Sequence, residues 1–389
     1  AAAMFDNTPV FDGLARGLDT ISGLHANQHI PQMIGALQEF ITTREPHYYQ
    51  TARNFWELVT SHYAYSTGGV GRGENFKEPD ILAGNIEGSR NCETCAAYNM
   101  LKLTGMLSFY DPQDSRLMDY YERTLYNQIA ASQNPIVRPD AHHGVTYMLP
   151  IGPGAVREYS NDYDDFTCCH GTGMENHVRY TEHIYHAGAD GSLYIQLYLS
   201  SSLYWEEKGI TLTQKTDFPS SFSVFIPDRN ARLKLFFRIP FWCREDFCIC
   251  VNDIPQPFVR TAEATPLYDT FCGADSLTGQ SGGYALLEGD FAGGDRITVH
   301  MPCRLHLCYT PDPLEGLPAA SLMYGPLVMA ALHPGTDWIT LNLPPVTEDA
   351  FVMKKKAGIP VLWYDDLPFV PMYAAHNTPY HTYFKINLL

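Results

Sequence analysis

Two adjacent cysteines, Cys168 and Cys169, offer the most distinctive chemistry in this sequence, within Asp-Phe-Thr-Cys-Cys-His-Gly-Thr-Gly (165–173). Neighbouring cysteines do not readily form a disulfide with each other, because the small ring distorts the bond. Two further candidate ligands, Glu93 and Cys95, lie about seventy residues earlier. One carboxylate and three thiols form a ligand set suited to zinc. The sequence therefore predicts a zinc site made of these four residues, in which one sulfur is also a candidate nucleophile.

The same four residues permit a purely structural interpretation. Four protein ligands, three of them sulfur, more often form a closed zinc site that holds two loops together than a catalytic centre. On the ligands alone, the structural interpretation is favoured.

Histidines add candidates for the same region. His25 and His29 lie four residues apart, so on a helix they would share a face. That spacing can bind a metal, and it also occurs in ordinary cores. His142, His143 and His170 lie in predicted loops and are candidates to line a pocket.

The composition excludes several classes of function. The chain has 389 residues, enough for two or three domains, and a net charge of −17. Nucleic acids and anionic membranes require a basic face, so we expect neither as a partner. No run of ~18 apolar residues predicts a membrane span. The first residues, Ala-Ala-Ala-Met-Phe-Asp, show no signal-peptide pattern. A neutral ligand such as a sugar is compatible with this charge.

Six of the ten cysteines follow residue 240, in sequence that alternates like strands. They are Cys243, Cys248, Cys250, Cys272, Cys303 and Cys308. We expect them to behave as small buried apolar residues. Cys248 and Cys250 should share one face of a strand, and the prediction is that this face is the core.

Residues 1–190 are predicted to be helical, because apolar residues recur with helical spacing. The predicted helices are Gln32–Thr43, Tyr48–Tyr65, Glu93–Met106, Asp114–Ser132 and Met174–His186. Glu175 would then lie in a first helical turn, where an acidic residue suits the helix dipole. Long connections at 66–92 and 133–170 are typical of functional loops. We predict a toroid of helical hairpins with its site at one end.

After residue 191 the pattern changes to alternation, which predicts an antiparallel β-sandwich of roughly eight strands over 191–315. Those strands are Leu193–Ser200, Ile210–Asp217, Ser221–Pro227, Ala231–Pro240, Phe247–Asn252, Tyr284–Phe291, Arg296–Pro302 and Arg304–Thr310. The apolar run 319–332 is expected to pack centrally. Residues 316–389 are predicted to form a second β-rich region.

Five motifs in order resemble the β-L-arabinofuranosidases of glycoside hydrolase families 127 and 146. They are Gly-Leu-His-Ala-Asn-Gln-His-Ile-Pro (23–31), Thr-Gly-Gly-Val-Gly-Arg-Gly-Glu-Asn-Phe (67–76), Glu-Thr-Cys (93–95), Cys-Cys-His-Gly-Thr-Gly (168–173) and Leu-Met-Tyr-Gly-Pro-Leu-Val (322–328). The resemblance implies a multidomain α plus β protein, with an (α/α)6-type helical barrel followed by an antiparallel β-sandwich. It also implies a retaining hydrolase with a zinc-bound cysteine nucleophile.

Carried over residue by residue, the resemblance implies that Cys168 is the nucleophile and that Glu74 is the general acid/base. It places Tyr147 close to the nucleophile, although a packed core tyrosine remains an alternative. We interpret His25 as a hydrogen-bonding partner of sugar hydroxyls. Without the resemblance, Glu74 would be interpreted as a solvated loop glutamate.

One departure concerns the start of the chain. Family members have a longer helical region before the His-Ala-Asn motif, so we expect about half of the barrel to be absent here. Such a half barrel would expose apolar helix faces, a liability for oligomerisation. Independently of this, the family often dimerises, so the resemblance implies a homodimer through the sandwich as one assembly of the chain.

Three functions follow. The first is a retaining exo-glycosidase that releases β-L-arabinofuranose or a related pentofuranose from a small arabinofuranoside. The second is a non-catalytic, zinc-stabilised carbohydrate-binding protein. The third is a related hydrolase that acts on a different pentose. All three predict bound Zn²⁺.

Overall fold

The computed structural model describes residues 2–86, 88–135, 144–161, 163–216, 221–243, 246–261, 282–356 and 358–389. His142, His143 and Cys272, which the sequence singled out, lie outside these residues.

The first part of the chain is helical. Its helices are α1 (Thr8–Ala15), α2 (Ala26–Thr43), α3 (Pro46–His62), α4 (Thr94–Ser108), α5 (Ser115–Thr124), α6 (Ala130–Ser132) and α7 (Cys168–Asn176). Apolar side chains at helical spacing form the buried face, as Ile30, Met33 and Leu37 do on α2, each 0% exposed. Within the described ranges, none of the helices has the length and apolar character needed to cross a membrane.

Helix α5 does not end at Thr124 but continues through a π turn, Leu125–Ile129, into α6. The prediction of one helix over 114–132 is therefore confirmed. The π turn within it, which widens the helix locally, was not indicated by the periodicity. The other predicted helices as far as Met106 are confirmed with shifted ends, and α2 begins six residues before Gln32.

The predicted helix Met174–His186 is wrong. Helix α7 begins at Cys168, where the Thr167 amide donates to His170 Nδ1 at 2.6 Å in a reciprocal cap, and it ends at Asn176. Glu175 therefore lies at the end of the helix, where the dipole disfavours an acid. It accepts instead from Arg179 at 2.9 Å. Burial alone would raise the pKa of Glu175, but the hydrogen bonds with Tyr98 and Arg179 together lower it.

Twenty strands follow among the residues that the structure describes. They are β1 (Tyr185–Ala187), β2 (Leu193–Ile195), β3 (Ser201–Trp205), β4 (Ile210–Thr216), β5 (Phe222–Pro227), β6 (Ala231–Arg238), β7 (Cys248–Val251), β8 (Ile254–Gln256), β9 (Val259–Arg260), β10 (Tyr284–Phe291), β11 (Ile297–His300), β12 (Leu305–Tyr309), β13 (Ala319–Tyr324), β14 (Leu327–Leu332), β15 (Thr340–Leu343), β16 (Val352–Lys356), β17 (Ile359–Tyr364), β18 (Leu367–Pro371), β19 (Tyr380–His381) and β20 (Phe384–Leu388).

The first eleven strands form the predicted sandwich. One sheet has the order β1-β2-β6-β10-β9 and the other β3-β4-β5-β11-β7-β8. All pairs are antiparallel except β2 with β6. Leu233, Leu235 and Phe237 alternate along β6 and face the core that the two sheets share. The sequence of helices followed by a sandwich is thus confirmed.

Two details of the strand prediction are corrected. Strand β12 does not join the sandwich. It pairs with β13, the first strand of the hairpin that follows it, and so belongs to a third sheet. Cys248 and Cys250 do share a face, but the prediction of a core face is wrong. Ile249, between them, is 0% exposed in the sandwich core, so alternation turns both cysteines to the opposite face of the sheet. On that face Cys248 is exposed, whereas Cys250 is buried without belonging to the sandwich core.

The third sheet has the order β15-β20-β13-β14-β18-β17-β16, with β12 beside β13 and β19 beside β14. Its β13–β14 hairpin is the apolar run 319–332, and it packs centrally as predicted. Asn127, in the π turn, fixes the hairpin to the helices by two hydrogen bonds. Its side chain donates to Pro326 O and accepts from Val328 N, each at 2.8 Å.

The third sheet also holds the long connection 66–92. Tyr383 Oη accepts from Ser66 N at 2.7 Å, and Ser66 Oγ lies 2.7 Å from Ser321 Oγ. At the other end, the Asp312 carboxylate accepts from three successive amides, those of residues 82–84, at 2.7–2.8 Å. Both ends of the connection are therefore fixed, which positions the residues between them.

A buried charge cluster joins α5 to the sandwich. Arg238 on β6 is 0% exposed, ion-pairs with Asp119 and donates to Glu122 Oε1 at 2.7 Å. Trp242 Nε1 donates to the second oxygen of Glu122 at 3.1 Å. Two buried carboxylates share this one guanidinium, so removal of Arg238 leaves both in the interior without their cation.

We predict that Arg238→Ala strongly destabilises the chain, because two buried carboxylates lose their guanidinium. The expected loss is about 3–5 kcal/mol in free energy of unfolding, measured by urea denaturation. Arg232→Ala is the matched control on the same strand, since its ion pair with Glu288 is exposed, and it should change stability by about 1 kcal/mol or less. Equal effects of the two substitutions would contradict the role of the buried cluster.

Candidate active site

Glu74 is presented by a tight turn within the connection 66–92. Arg72 and Asn75 exchange backbone hydrogen bonds at 3.0 and 3.3 Å, and Gly73 and Glu74 between them have φ of +54° and +71°. Two central residues at positive φ are typical of a type I′ turn. A glutamate in this region carries a backbone cost of about 1–3 kcal/mol, and such strain clusters at functional sites.

Gly69 allows this connection to approach the start of α4. A Cβ at that position would lie 2.6 Å from Cys92 Cβ, a distance that real contacts do not show. Only glycine fits there, so the sequence Thr-Gly-Gly-Val-Gly serves a close approach of the backbone as well as a turn.

The Glu74 carboxylate has two side-chain partners. Tyr147 Oη donates to Glu74 Oε1, and His25 Nε2 lies 3.4 Å from Glu74 Oε2. The Ala26 amide donates to Glu74 O at 2.8 Å, which ties the turn to the start of α2.

His25 and His29 do not share a helix face as predicted. His25 precedes α2 as its N-cap residue, whereas His29 lies within the helix and is buried. The His29 ring bonds back to His25 O through Nδ1 at 2.8 Å. His25 therefore belongs to the site and His29 to the helix.

The four predicted ligands converge. The Glu93 carboxylate and the sulfurs of Cys95, Cys168 and Cys169 offer ligand atoms that all lie within 4.8 Å of one another. Cys95 Sγ lies 3.0 Å from Cys169 Sγ, too far for a disulfide at ~2.05 Å. Glu93 Oε1 lies 3.7 Å from Cys168 Sγ and 3.9 Å from Cys169 Sγ.

Two helix starts produce this convergence. Glu93 is the N-cap residue of α4, and Cys168 and Cys169 are the first two residues of α7. The backbone of Tyr147 lies between them, since its carbonyl accepts from Thr94 N at 3.0 Å and lies 3.6 Å from Cys169 Sγ. The positive ends of two helix dipoles therefore point at the sulfurs and stabilise negative charge there.

The acidic groups of the cluster perturb one another. The hydrogen bond from Cys169 is the largest cause that lowers the pKa of Cys95 to about 6, and the same bond raises the pKa of Cys169. Burial, followed by the charge of Cys95, raises the pKa of Glu93 to about 8. Burial also raises the pKa of Cys168. Four acids this close cannot all be charged unless a cation compensates them.

The residues fit a metal ion by their own chemistry. Glu93 is 2% exposed, and its Oε2 finds no hydrogen-bond partner among the residues that the structure describes. A buried carboxylate oxygen without a partner is costly unless a ligand completes it. Three sulfurs beside it form the kind of donor set that soft or borderline divalent cations prefer.

Three polar residues that the sequence analysis did not select support the cluster. Asn99 donates to Asn27 Oδ1 at 2.8 Å, and Asn27 Nδ2 lies 3.4 Å from Glu93 Oε1, which orients the carboxylate. Thr172 Oγ1 lies 3.0 Å from Cys95 Sγ. Asn27 and Thr172 fall inside motifs 23–31 and 168–173, and Asn99 lies one helical turn after Cys95.

The four ligands differ in exposure. Glu93, Cys95 and Cys169 are buried, whereas Cys168 is exposed. Tyr147 Oη lies 3.6 Å from Cys168 Sγ and donates on its other side to Glu74. One hydroxyl group thus separates a reachable sulfur from a carboxylate. His170, by contrast, caps α7 and stacks on Phe166.

The order of helical region and sandwich places this chain among the glycoside hydrolases, as comparison with known proteins shows. The family model of the GH127 β-L-arabinofuranosidase catalytic domain matches residues 1–182, and that of the GH127 middle domain matches residues 192–303. Together the two models cover more than half of the chain. The chain therefore belongs to the GH127 β-L-arabinofuranosidase family, and its resemblance to family 146 stays a prediction.

Solved structures share the fold. A structure described as a glycoside hydrolase superposes with a TM-score of 0.75 at 18% identity, over 95% of this chain and 67% of its own. A GH127 β-arabinofuranosidase gives 0.74 at 19%, over 97% and 62%. A GH127 β-L-arabinofuranosidase from Geobacillus stearothermophilus T6 gives 0.72 at 19%, over 98% and 62%. This chain thus spans roughly two thirds of their length. No curated protein matches it.

We predict that a thiol-alkylating reagent modifies Cys168 of the native metal-free chain well before it modifies Cys95 or Cys169, because only Cys168 among them is exposed. Peptide mass spectrometry after short treatment with iodoacetamide measures the order. Buried Cys92 is the internal control, and all four should react once the chain is denatured. Equal native rates for Cys168 and Cys169 would contradict this account of access.

Proposed function

We propose that this chain carries the active site of a retaining glycoside hydrolase that releases β-L-arabinofuranose or a related pentofuranose. Cys168 is the nucleophile, and Glu74 is the general acid/base. The observation that supports this most directly is the contact chain Cys168–Tyr147–Glu74, which places one nucleophile and one acid on either side of a single hydroxyl. In retaining glycosidases the two reacting groups lie ~5–5.5 Å apart, and a single bridging hydroxyl is compatible with that spacing.

Zinc is the metal proposed for the four-ligand set of Glu93, Cys95, Cys168 and Cys169. When bound, zinc keeps its cysteine ligands deprotonated at neutral pH. Its charge would also compensate the negative neighbours that, after burial, raise the pKa of Glu93.

Access selects the nucleophile among the three sulfurs. Cys95 and Cys169 are 1% and 0% exposed, so an anomeric carbon cannot reach either. Cys168 is exposed and faces Tyr147 and the Glu74 turn. It also starts α7, where the helix dipole favours the thiolate form that attacks.

The proposed reaction has two displacements. In the first, the Cys168 sulfur forms a bond to the anomeric carbon while the bond to the leaving oxygen breaks, and Glu74 gives that oxygen a proton. In the second, Glu74 takes a proton from water, the water oxygen bonds to the anomeric carbon, and the carbon–sulfur bond breaks. Two inversions leave the configuration of the sugar unchanged.

Tyr147 and His25 are proposed to position the reacting groups and the sugar. Burial, followed by its hydrogen bond to Glu74, raises the pKa of Tyr147, so the phenol stays protonated and donates. His25 Nε2 lies 3.4 Å from the second oxygen of Glu74, and its proposed role is to hydrogen-bond a furanose hydroxyl next to that carboxylate.

We expect Cys168→Ala to lower kcat/KM on an aryl β-L-arabinofuranoside by at least about 10³-fold, because no other sulfur is within reach of the sugar. Cys248→Ala is the matched control, since Cys248 is also exposed but lies in the sandwich, and it should retain full activity. Circular dichroism checks that both variants fold. Full activity of Cys168→Ala would refute its role. Sugar binding by wild type without turnover on pentofuranosides would favour the carbohydrate-binding alternative.

Glu74→Gln should lower activity by about 10²–10⁴-fold on a substrate with an alkyl leaving group, which needs a proton to depart. The first displacement should suffer less with a nitrophenyl leaving group, which departs as an anion. Glu78→Gln tests an exposed glutamate of the same connection and should leave both rates unchanged. An equal loss on both substrates in single-turnover measurements would argue against acid catalysis by Glu74.

The metal assignment is tested by zinc content. After dialysis against a weak chelator, wild type should retain one tightly bound zinc per chain, and Cys95→Ser should lose it and unfold at a lower temperature. Cys92→Ser is the control, because Cys92 is a buried neighbour outside the ligand set. Retention of the tight zinc by Cys95→Ser would contradict the assignment.

A further inference from the structure

A second cluster of metal-binding side chains lies in the sandwich, away from the four ligands of the active site. Cys248 and Cys250 on β7 and His300 on β11 offer two sulfurs and a ring nitrogen within 4.8 Å of one another. Strands β7 and β11 are antiparallel neighbours, with His300 directly opposite Cys248 and Thr298 opposite Cys250. The cluster is thus set by strand register, which is fixed on both sides of β11.

The cluster lies on the outer face of its sheet. Ile249, Ile297 and Val299 are 0% exposed and belong to the sandwich core. Because side chains alternate along a strand, Cys248, Cys250 and His300 point the other way. Cys248 is exposed, so a metal ion can reach the cluster from solvent.

Packing in the sandwich core does not explain these cysteines, because they lie on the other face of the sheet and neither belongs to the core cluster. Cys250 is buried on that face, and Cys248 beside it is exposed. Two cysteines two residues apart on a strand point the same way and cannot close an unstrained disulfide with each other. An imidazole placed opposite one of them adds a third ligand of the type that borderline metals bind.

The geometry is close to what zinc requires. Zinc–sulfur bonds of ~2.3 Å around a tetrahedral ion place two sulfurs about 3.8 Å apart. The three donors, within 4.8 Å of one another, need only small side-chain rotations to reach that spacing. Phe222 on β5 lies next to His300, with ring centroids 6.5 Å apart, and limits the movement of the imidazole.

We propose that Cys248, Cys250 and His300 form a second metal site, which binds zinc or a similar thiophilic cation with an open fourth position toward solvent. Two thiols lose their protons to water when the ion binds, and the imidazole binds in its neutral form. With three protein ligands and solvent access, this site binds more weakly than the buried four-ligand set and exchanges its ion. The proposal does not depend on the glycosidase assignment.

A zinc titration tests the proposal. Wild-type chain that has been stripped of metal is titrated with Zn²⁺ in competition with a chromophoric chelator, and we expect one tight and one weaker equivalent. Cys248→Ser/Cys250→Ser should bind only the tight equivalent, and its hydrolytic activity should equal that of wild type. His300→Ala should weaken the second equivalent by at least about 10-fold, as loss of one ligand does.

Controls make the result specific. Cys303→Ser removes a partly buried cysteine outside both clusters and should keep both equivalents. If circular dichroism shows that the double variant does not fold, the affinity of His300→Ala for the second zinc equivalent is sufficient to test the proposal. Zinc binding that is unchanged in both the double variant and His300→Ala overturns the proposal, whatever the number of equivalents that wild type binds.

Discussion

The structure of the site depends on one electrostatic constraint, the convergence of four acidic side chains at the starts of two helices. Glu93, Cys95 and Cys169 are buried, so water cannot screen them, and their sulfurs and oxygens lie within one coordination shell. Without a cation the cluster retains protons, because burial raises the pKa of Glu93 and the hydrogen bond with Cys95 raises that of Cys169. With one, the same crowding becomes an ordered ligand set. The helix dipoles of α4 and α7 favour the charged form but are too small to compensate four charges alone.

The rest of the fold holds Glu74, the candidate acid, in a fixed position relative to this cluster. Glu74 lies on a connection with little regular structure, and its own backbone is held at positive φ. Such a turn persists only where its surroundings over-determine it. The third sheet supplies that support, through Asp312 at one end of the connection and Tyr383 at the other. A sheet that contributes no candidate catalytic residue thus positions the candidate acid. The hydrogen bond from Asn127 to the β13–β14 hairpin links this sheet to the helices.

Periodicity predicted the elements well where a single buried face decides them, as in α2, α3 and β10. It failed where local capping overrides it. Helix α7 starts at Cys168 because Thr167 and His170 cap it, and its few apolar residues give no periodic signal. Alternation correctly placed Cys248 and Cys250 on one face of the strand. Which face packs in the core is decided by Ile249, and the sequence pattern did not show that this residue, rather than the cysteines, is the one buried there. The partner of β12 depended on a hairpin that follows it, and long-range pairing of that kind leaves no local mark.

The candidate site itself was predictable because its ligands have unusual chemistry and its motifs are short. The supporting amides were not, since asparagine is common and only three-dimensional contact shows that Asn99 and Asn27 relay to Glu93. The difference in exposure between adjacent cysteines has the same origin. Cys168 and Cys169 are successive residues of one helix, so their side chains diverge by roughly 100° around its axis. One sulfur therefore enters the interior with Cys95, and the other remains where a sugar could meet it. Two adjacent cysteines at the start of a helix can thus differ in exposure, one buried and one reachable from solvent. This difference explains how one short motif could both hold an ion and present a nucleophile.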